Sequence, residues 1–270
     1  MPGRAPRVIA RTCNDCRGNN GTLGGDWRRW ELCHGGVEQV MNKSDHYEQT
    51  RAMFDTSAVE REGYFDASLG GPLVHSVWQL RVRRILRTML AELLRRDTES
   101  SSLVDLGCGN GDLTLQISEE HQQLTKVVGT DFSAECVALS RRNTAERPTI
   151  SFERADLREL PYPDGCFDIA MCLDTLHHVR AEDHRQVFRE VARVSRHHLL
   201  VEIKNQRNLY YGHLHRTTMD GLEVYPTTVE RLSEAVAGFG FRLRAKRGIF
   251  WLERLSPLVV LAFEREVARS

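Results

Sequence analysis

The chain has 270 residues, 41% apolar and 27% charged, enough to build a substantial core in one large domain or one domain with an extension. Lys and Arg total 37, as do Asp and Glu. That balance argues against a general electrostatic attraction to nucleic acid or anionic membrane but leaves room for a local basic patch; the run Arg81, Arg83, Arg84 reads as a solvated helix face.

No apolar run approaches the length of a membrane span, and the longest, 258–263, suits a buried strand, so no membrane insertion is expected. The chain opens without an apolar leader segment. An odd cysteine count of seven, with Cys108, Cys136, Cys166 and Cys172 in no disulfide-like spacing, predicts a reducing, cytoplasmic setting.

Residues 1–40 are rich in Gly, Arg, Asn and Cys, lack periodicity, and are expected to be a disordered extension. Translation from Met41 is an alternative explanation for their character. Cys13-x-x-Cys16 with Cys33-His34 has an outline of zinc ligation, but adjacent Cys-His ligands suit one tetrahedral site poorly, and no metal is expected. Residues 41–98 form a helical segment, expected as an N-terminal cap or lid. In it Val77, Trp78, Ile85, Met89 and Leu93 recur at helical spacing, preceded by Tyr47, Phe54 and Tyr64.

From residue 99 the pattern alternates between strands and helices. A short apolar strand at Ser102–Leu106 runs into Gly107-Cys108-Gly109-Asn110-Gly111 and a helix over 112–123. Strand two ends at Asp131, and Ser133 caps the next helix. Strands are predicted at 150–152, 167–173 and 199–203, with helices at 181–195 and 227–237. The closing strands, 241–249 and 258–263, leave no room for a helix between them. Such a series implies an α/β fold with a mainly parallel sheet and one antiparallel strand near its edge.

The glycine-rich turn carries the strongest functional signal. A strand leading directly into it lets backbone approach a ligand closely, and the following helix directs free N–H groups to the same place. Dinucleotide-binding folds use a similar device with Gly-x-Gly-x-x-Gly spacing. Here the spacing is Gly-x-Gly-x-Gly, with Asp105 two residues before it and Asp131 at the end of strand two, where a carboxylate accepts from ribose hydroxyls.

Five blocks then match in order: 104–111; Gly129-Thr130-Asp131-Phe132-Ser133; Ala155-Asp156-Leu157 with Leu160-Pro161; Phe167-Asp168 leading to Asp174-Thr175-Leu176-His177-His178-Val179; and the helix 188–195. With them the chain resembles the class I S-adenosylmethionine (SAM)-dependent methyltransferases, in the branch that methylates quinone precursors and secondary metabolites. The resemblance implies a seven-stranded Rossmann-like fold and SAM as cofactor, with S-adenosylhomocysteine (SAH) as product. It assigns Gly107, Gly109 and Gly111 to the methionine and ribose part of SAM, with Cys108 in the same turn and Asp105 fixing the amino group through it. Asp131 would bind the ribose hydroxyls, Phe132 would pack on adenine, Asp156 would accept from the adenine amino group beside Leu157, and Leu173 would offer backbone near the methionine end.

Methyl transfer is an in-line displacement, and a hydroxyl or carbon nucleophile benefits from a nearby base. His177 and His178, after strand four, are the candidates for base catalysis or substrate positioning, with a structural role as the alternative. Asp174, Tyr64, Tyr210, Tyr211 and His213 are the candidate substrate contacts. Cys172, between Met171 and Leu173, lacks the Pro-Cys setting of pyrimidine C5-methyltransferases. The Pro-Pro-aromatic motif of exocyclic-amine methyltransferases is also absent. The expected partner is therefore a small-molecule acceptor, methylated at O or C, with no nucleic acid; a homo-oligomer is compatible with the sequence. A non-catalytic SAM-binding regulator is the alternative from a different class. An NAD-dependent oxidoreductase and a protein or RNA methyltransferase fit less well.

Overall fold

The computed structural model describes residues 43–60, 73–144, 147–213, 218–219 and 222–266. The expectations for residues 1–40, with their cysteines, and for Tyr64 therefore lie outside the described residues.

Two helices, α1 (Lys43–Glu60) and α2 (Leu73–Arg96), precede the sheet. The sheet begins with β1 (Ser102–Leu106), α3 (Asp112–Glu120), β2 (Lys126–Asp131), α4 (Ala134–Asn143) and β3 (Ile150–Arg154). It continues through β4 (Phe167–Cys172), a 3-10 turn at Leu176–His178, α5 (His184–Val194) and β5 (Ser195–Lys204). A π-helical turn at Leu209–His213 and a two-residue hairpin, β6 (Thr218–Met219) with β7 (Leu222–Glu223), lead to α6 (Val229–Ala237), β8 (Phe241–Gly248) and β9 (Leu258–Arg265).

Seven strands form one sheet in the order β3-β2-β1-β4-β5-β9-β8. The pairings from β3 to β5 are parallel, while β9 runs antiparallel between β5 and β8. This is the α/β, Rossmann-like fold expected from the alternating pattern and the closing hairpin. The central strand β4 is buried along its whole length, as a parallel strand covered on both faces must be.

Alternate residues of each strand serve opposite faces. Val104, Leu106, Ala170, Leu199 and Val201 pack with Val187, Val191, Leu232 and Val236 of α5 and α6. Leu103, Val127, Ile169, Met171 and Leu200 pack with Leu86, Leu90 and Leu93 of α2 and Leu113 and Ile117 of α3. Thus α2 is a structural layer of the sheet, and the described residues form one compact unit. Ser133 caps α4 as expected, its Oγ accepting the Cys136 N–H at 3.0 Å. Four cysteines, Cys108, Cys136, Cys166 and Cys172, are unbridged thiols.

Candidate functional site

Parallel strands deliver their carboxyl ends to one edge of the sheet, and loops there open a crevice. At this edge lies a cavity of about 830 Å³, its open mouth included. Following the strand order, β3 contributes Asp156 and Leu157, β2 Asp131 and Phe132, β1 Gly107 and Gly109, and β4 Leu173, Asp174, Thr175 and His178. Helix α1 covers it with Tyr47, Thr50 and Phe54, spaced to share one helical face.

The turn after β1 is shaped by packing as well as by ligand access. Gly107 has φ +83°, and a Cβ there would stand 2.1 Å from Thr175 Oγ1, so the β1 and β4 turns interlock only with glycine. Gly111, at φ +80°, faces the Phe152 ring and Ser140, where a Cβ would lie 2.8 and 2.9 Å away. Its place in the motif is accounted for by this contact with β3 and α4, not by the cavity wall.

Asp131 is 8% exposed, and its carboxylate accepts the Gly109 N–H at 3.0 Å and the Ser133 N–H at 2.9 Å. The glycine turn is thereby fastened to the end of β2. Burial pushes its pKa up to about 6, against these hydrogen bonds. Asp105 is also buried, accepts from Thr114 Oγ1 at 2.6 Å, and is likewise raised by burial to about 6. Asp156 lines the cavity with Arg158 across both its oxygens, at 3.0 and 2.6 Å. Burial raises the Asp156 pKa, but the Arg158 contacts outweigh it and hold the carboxyl below its ordinary range. The Arg158 guanidinium in turn lies 3.9 Å from the Tyr47 ring centroid, and Tyr47 donates to Asp183 at 2.8 Å. Phe132 meets Phe54 edge-on at 5.9 Å.

The adjacent histidines take different positions. His178 lines the cavity, meets Phe54 edge-on at 5.2 Å, and has a buried Nδ1 without a hydrogen-bond partner. Burial lowers its pKa to about 4, so it is neutral at physiological pH. His177, 4% exposed, sits behind it with ring centroids 4.0 Å apart and Nε2 3.9 Å from Asp174.

Asp174 has φ +50° and lines the cavity. Its N–H donates to Glu202 at 2.8 Å, and its carboxylate accepts from Lys204 Nζ at 2.6 Å. Lys204 and Glu202 are both essentially buried. Burial works to neutralise the ammonium, but the two acids outweigh it and hold it charged. Asp174, His177 and Glu202 gather in a metal-like group, yet the cation they surround is the Lys204 ammonium.

A second, smaller cavity of about 370 Å³ adjoins the first, sharing Gly107, Leu173 and Asp174. Asp105, Cys108 and Leu113 line it from the core, and Gln79 and Arg83 reach it from α2. Gln79 is 4% exposed and its Nε2 lacks a hydrogen-bond partner. Arg83, expected on a solvated helix face, instead turns into this cavity, and Gln79 carries no signal in the sequence because it sits in an ordinary amphipathic helix.

Tyr210 and Tyr211 do not reach the cavity. They belong to the π-helical turn, where Tyr210 packs edge-on against Trp78 at 5.4 Å and Tyr211, 2% exposed, joins the core beside α2. The apolar rings are drawn to that core in preference to the cleft. The side chain of His213 lies outside the described residues. Cys172 is buried, and burial pushes its thiol far above the ordinary range, so no thiolate nucleophile is available there.

Residues 103–198 match the family model described as "Methyltransferase domain". Over that stretch, roughly a third of the chain, the protein is similar to methyltransferase domains. Over 97 residues it is 35% identical to 27-O-demethylrifamycin SV methyltransferase of Amycolatopsis mediterranei, covering 35% of this chain and 34% of that protein. Over 98 residues it is 36% identical to demethylmenaquinone methyltransferase of Shouchella clausii, covering 36% and 41%. The chain thus aligns with about a third to two-fifths of the length of these relatives. Magnesium protoporphyrin IX methyltransferase from Synechocystis PCC 6803, crystallised with SAH, shares the fold at a TM-score of 0.65 and 19% identity, covering 82% of this chain and 100% of that one.

The two cavities fit S-adenosylmethionine chemically. SAM carries a ribose diol, an aromatic base and a zwitterionic amino-acid end. Asp131 offers acceptors, Phe132 and Leu157 offer apolar surface, and Arg83, Asp105, Asp174 and the unpartnered Gln79 amide offer both signs of charge and a donor.

Proposed function

We propose that the protein transfers a methyl group from SAM to a small-molecule acceptor bound under α1. The observation that carries this reading is the shared cavity: Asp131 and His178 line one space, walled by Asp174 and covered by Tyr47 and Phe54. The relatives named above methylate small molecules of differing structure, which supports the acceptor class without fixing its identity.

SAM, when bound, supplies the activated methyl group. The protein's part is to orient the two partners and exclude water. Asp131 would hold the ribose, with Asp156 and Leu157 beside the adenine, and Arg83 and Gln79 would receive the carboxylate of the methionine end. Phe54 and Tyr47 would cover an apolar acceptor. His178, neutral and lacking a partner at Nδ1, would accept a proton from an acceptor hydroxyl or orient it. His177 would act through His178 by stacking behind it.

Calorimetric titration with SAM and SAH tests this. Wild type is expected to bind both saturably, and Asp131→Ala to bind about 100-fold or more weakly, the loss of charged hydrogen bonds worth about 3 kcal/mol. His178→Ala should keep its SAH affinity and lose turnover with phenolic or quinol acceptors. Folded wild type that binds neither ligand overturns the reading. Saturable binding with no turnover across an acceptor screen would favour a SAM-binding regulator.

A further inference from the structure

Large apolar side chains left in water are informative when they gather. Among the described residues, the exposed large hydrophobics are Val77, Leu80, Leu209, Phe250, Trp251, Leu252 and Leu255. They come from three segments only: the first half of α2, the turn after β5, and the β8–β9 loop. These segments are fastened together. Arg81 Nη1 donates to the Ile249 carbonyl at 3.2 Å and its guanidinium lies 5.5 Å from the Phe250 ring centroid. Asn208 Nδ2 donates to the Arg254 carbonyl at 3.1 Å, and Trp78 packs on Tyr210 at 5.4 Å. Val77 and Leu80 precede Arg81 by four residues and one, on the same outward stripe of the helix.

The patch has a definite place. β8 runs parallel to β5, so the loop after Gly248 emerges at the sheet edge that holds the cavities. Helix α2 joins the two features. Gln79 and Arg83 turn into the smaller cavity, while Val77, Leu80, Arg81 and Arg84 face outward. The patch also has a definite charge. Arg81, Arg84 and Arg254 are exposed around it, whereas Glu253, the acid of the loop, is ion-paired to Lys246. Among the described residues these three arginines have no carboxylate partner, so a chain of zero net charge presents cations beside its exposed apolar side chains.

We infer that this edge docks on an anionic lipid bilayer. Trp251, 90% exposed on a loop beside Phe250, Leu252 and Leu255, has the form of a shallow wedge. Aromatic and aliphatic side chains seat at the boundary of headgroups and acyl chains, and arginines around them meet lipid phosphates. This is surface binding; no helix among the described residues is long and apolar enough to cross a membrane. The consequence for substrate, which rests on the proposed methyl transfer, is an acceptor dissolved in or bound at that lipid surface.

The test is co-flotation of the full chain with vesicles of phosphatidylcholine alone, or with roughly one-third phosphatidylglycerol. The expected result is binding to the phosphatidylglycerol vesicles only, weakened by salt. Trp251→Ser with Leu255→Ser, and separately Arg81→Gln with Arg84→Gln, should each weaken it by ~10-fold or more. SAH titration of the same variants is expected to match wild type, which separates failure at this surface from failure at the cofactor site. Wild type that stays with neither vesicle overturns the inference. So does a dimer in sedimentation that the Trp251→Ser, Leu255→Ser variant dissociates, since a second copy would then cover the patch.

Discussion

Asp131 and Asp105 are the two buried carboxyls of the site whose charge is held at a cost. Both are pushed up to about 6 by burial, with Asp131 further raising Asp105 and Asp55 of α1 further raising Asp131. Above that pH Asp131 is ionised and free to accept from ribose; below it a bound proton takes up an acceptor position. Cofactor affinity should therefore be level above pH 7 and fall as pH drops through about 6, by several-fold at pH 5. Calorimetry at a series of pH values on folded protein checks this, and a flat profile would mean that neither carboxylate faces the cofactor. His178 moves the opposite way, lowered to about 4, so it stays neutral throughout that range and adds no slope above pH 5.

At the scale of elements, the strongest constraint is the junction between β4 and β5. Asp174 adopts a left-handed conformation that side chains other than glycine rarely take. It is held there by its own N–H on Glu202 and by the Lys204 ammonium on its carboxylate. The turn so fixed aims Thr175 at Gly107 and His178 into the cavity. Lys204→Met would strand two acids around an empty centre, with a loss of about 3–5 kcal/mol in stability. Urea denaturation measures it; a loss under 1 kcal/mol would show that the junction does not depend on the ammonium. Because Glu202 and Lys204 alternate along β5, both side chains point to the same face, and the strand itself supplies the spacing.

Over the whole molecule, the site is assembled from pieces far apart in sequence. α1 and α2 both lie outside residues 103–198, the stretch matched by the family model, yet one covers the larger cavity and the other completes the smaller. A ligand that bridges these pieces should stabilise the whole. At about 100-fold excess over Kd, SAH is expected to add ~2.7 kcal/mol. For a domain of this size that raises Tm by about 5–10 °C. Thermal denaturation with and without SAH reads it directly, and at the same SAH concentration the increment should fall to about 0.4 kcal/mol or less in Asp131→Ala.

Much of this was legible in the chain alone because it is written in local chemistry. Strand-to-glycine turns, the Ser133 cap and the alternation of apolar runs are properties of neighbouring residues. They sufficed for the α/β sheet with its closing hairpin and for Asp131 at the end of β2, while the resemblance pointed to Phe132, Asp156 and Leu157; all four line the cavity. The tertiary structure decided what depends on contacts distant in sequence. It separated His178 from His177, since only packing determines which ring faces the cavity. It gave Gly111 to the Phe152 and Ser140 contact, and it drew Tyr210 and Tyr211 into the core beside Trp78. It also turned Gln79 and Arg83 inward, because a helix's polar positions acquire meaning only when a cavity is placed beside them.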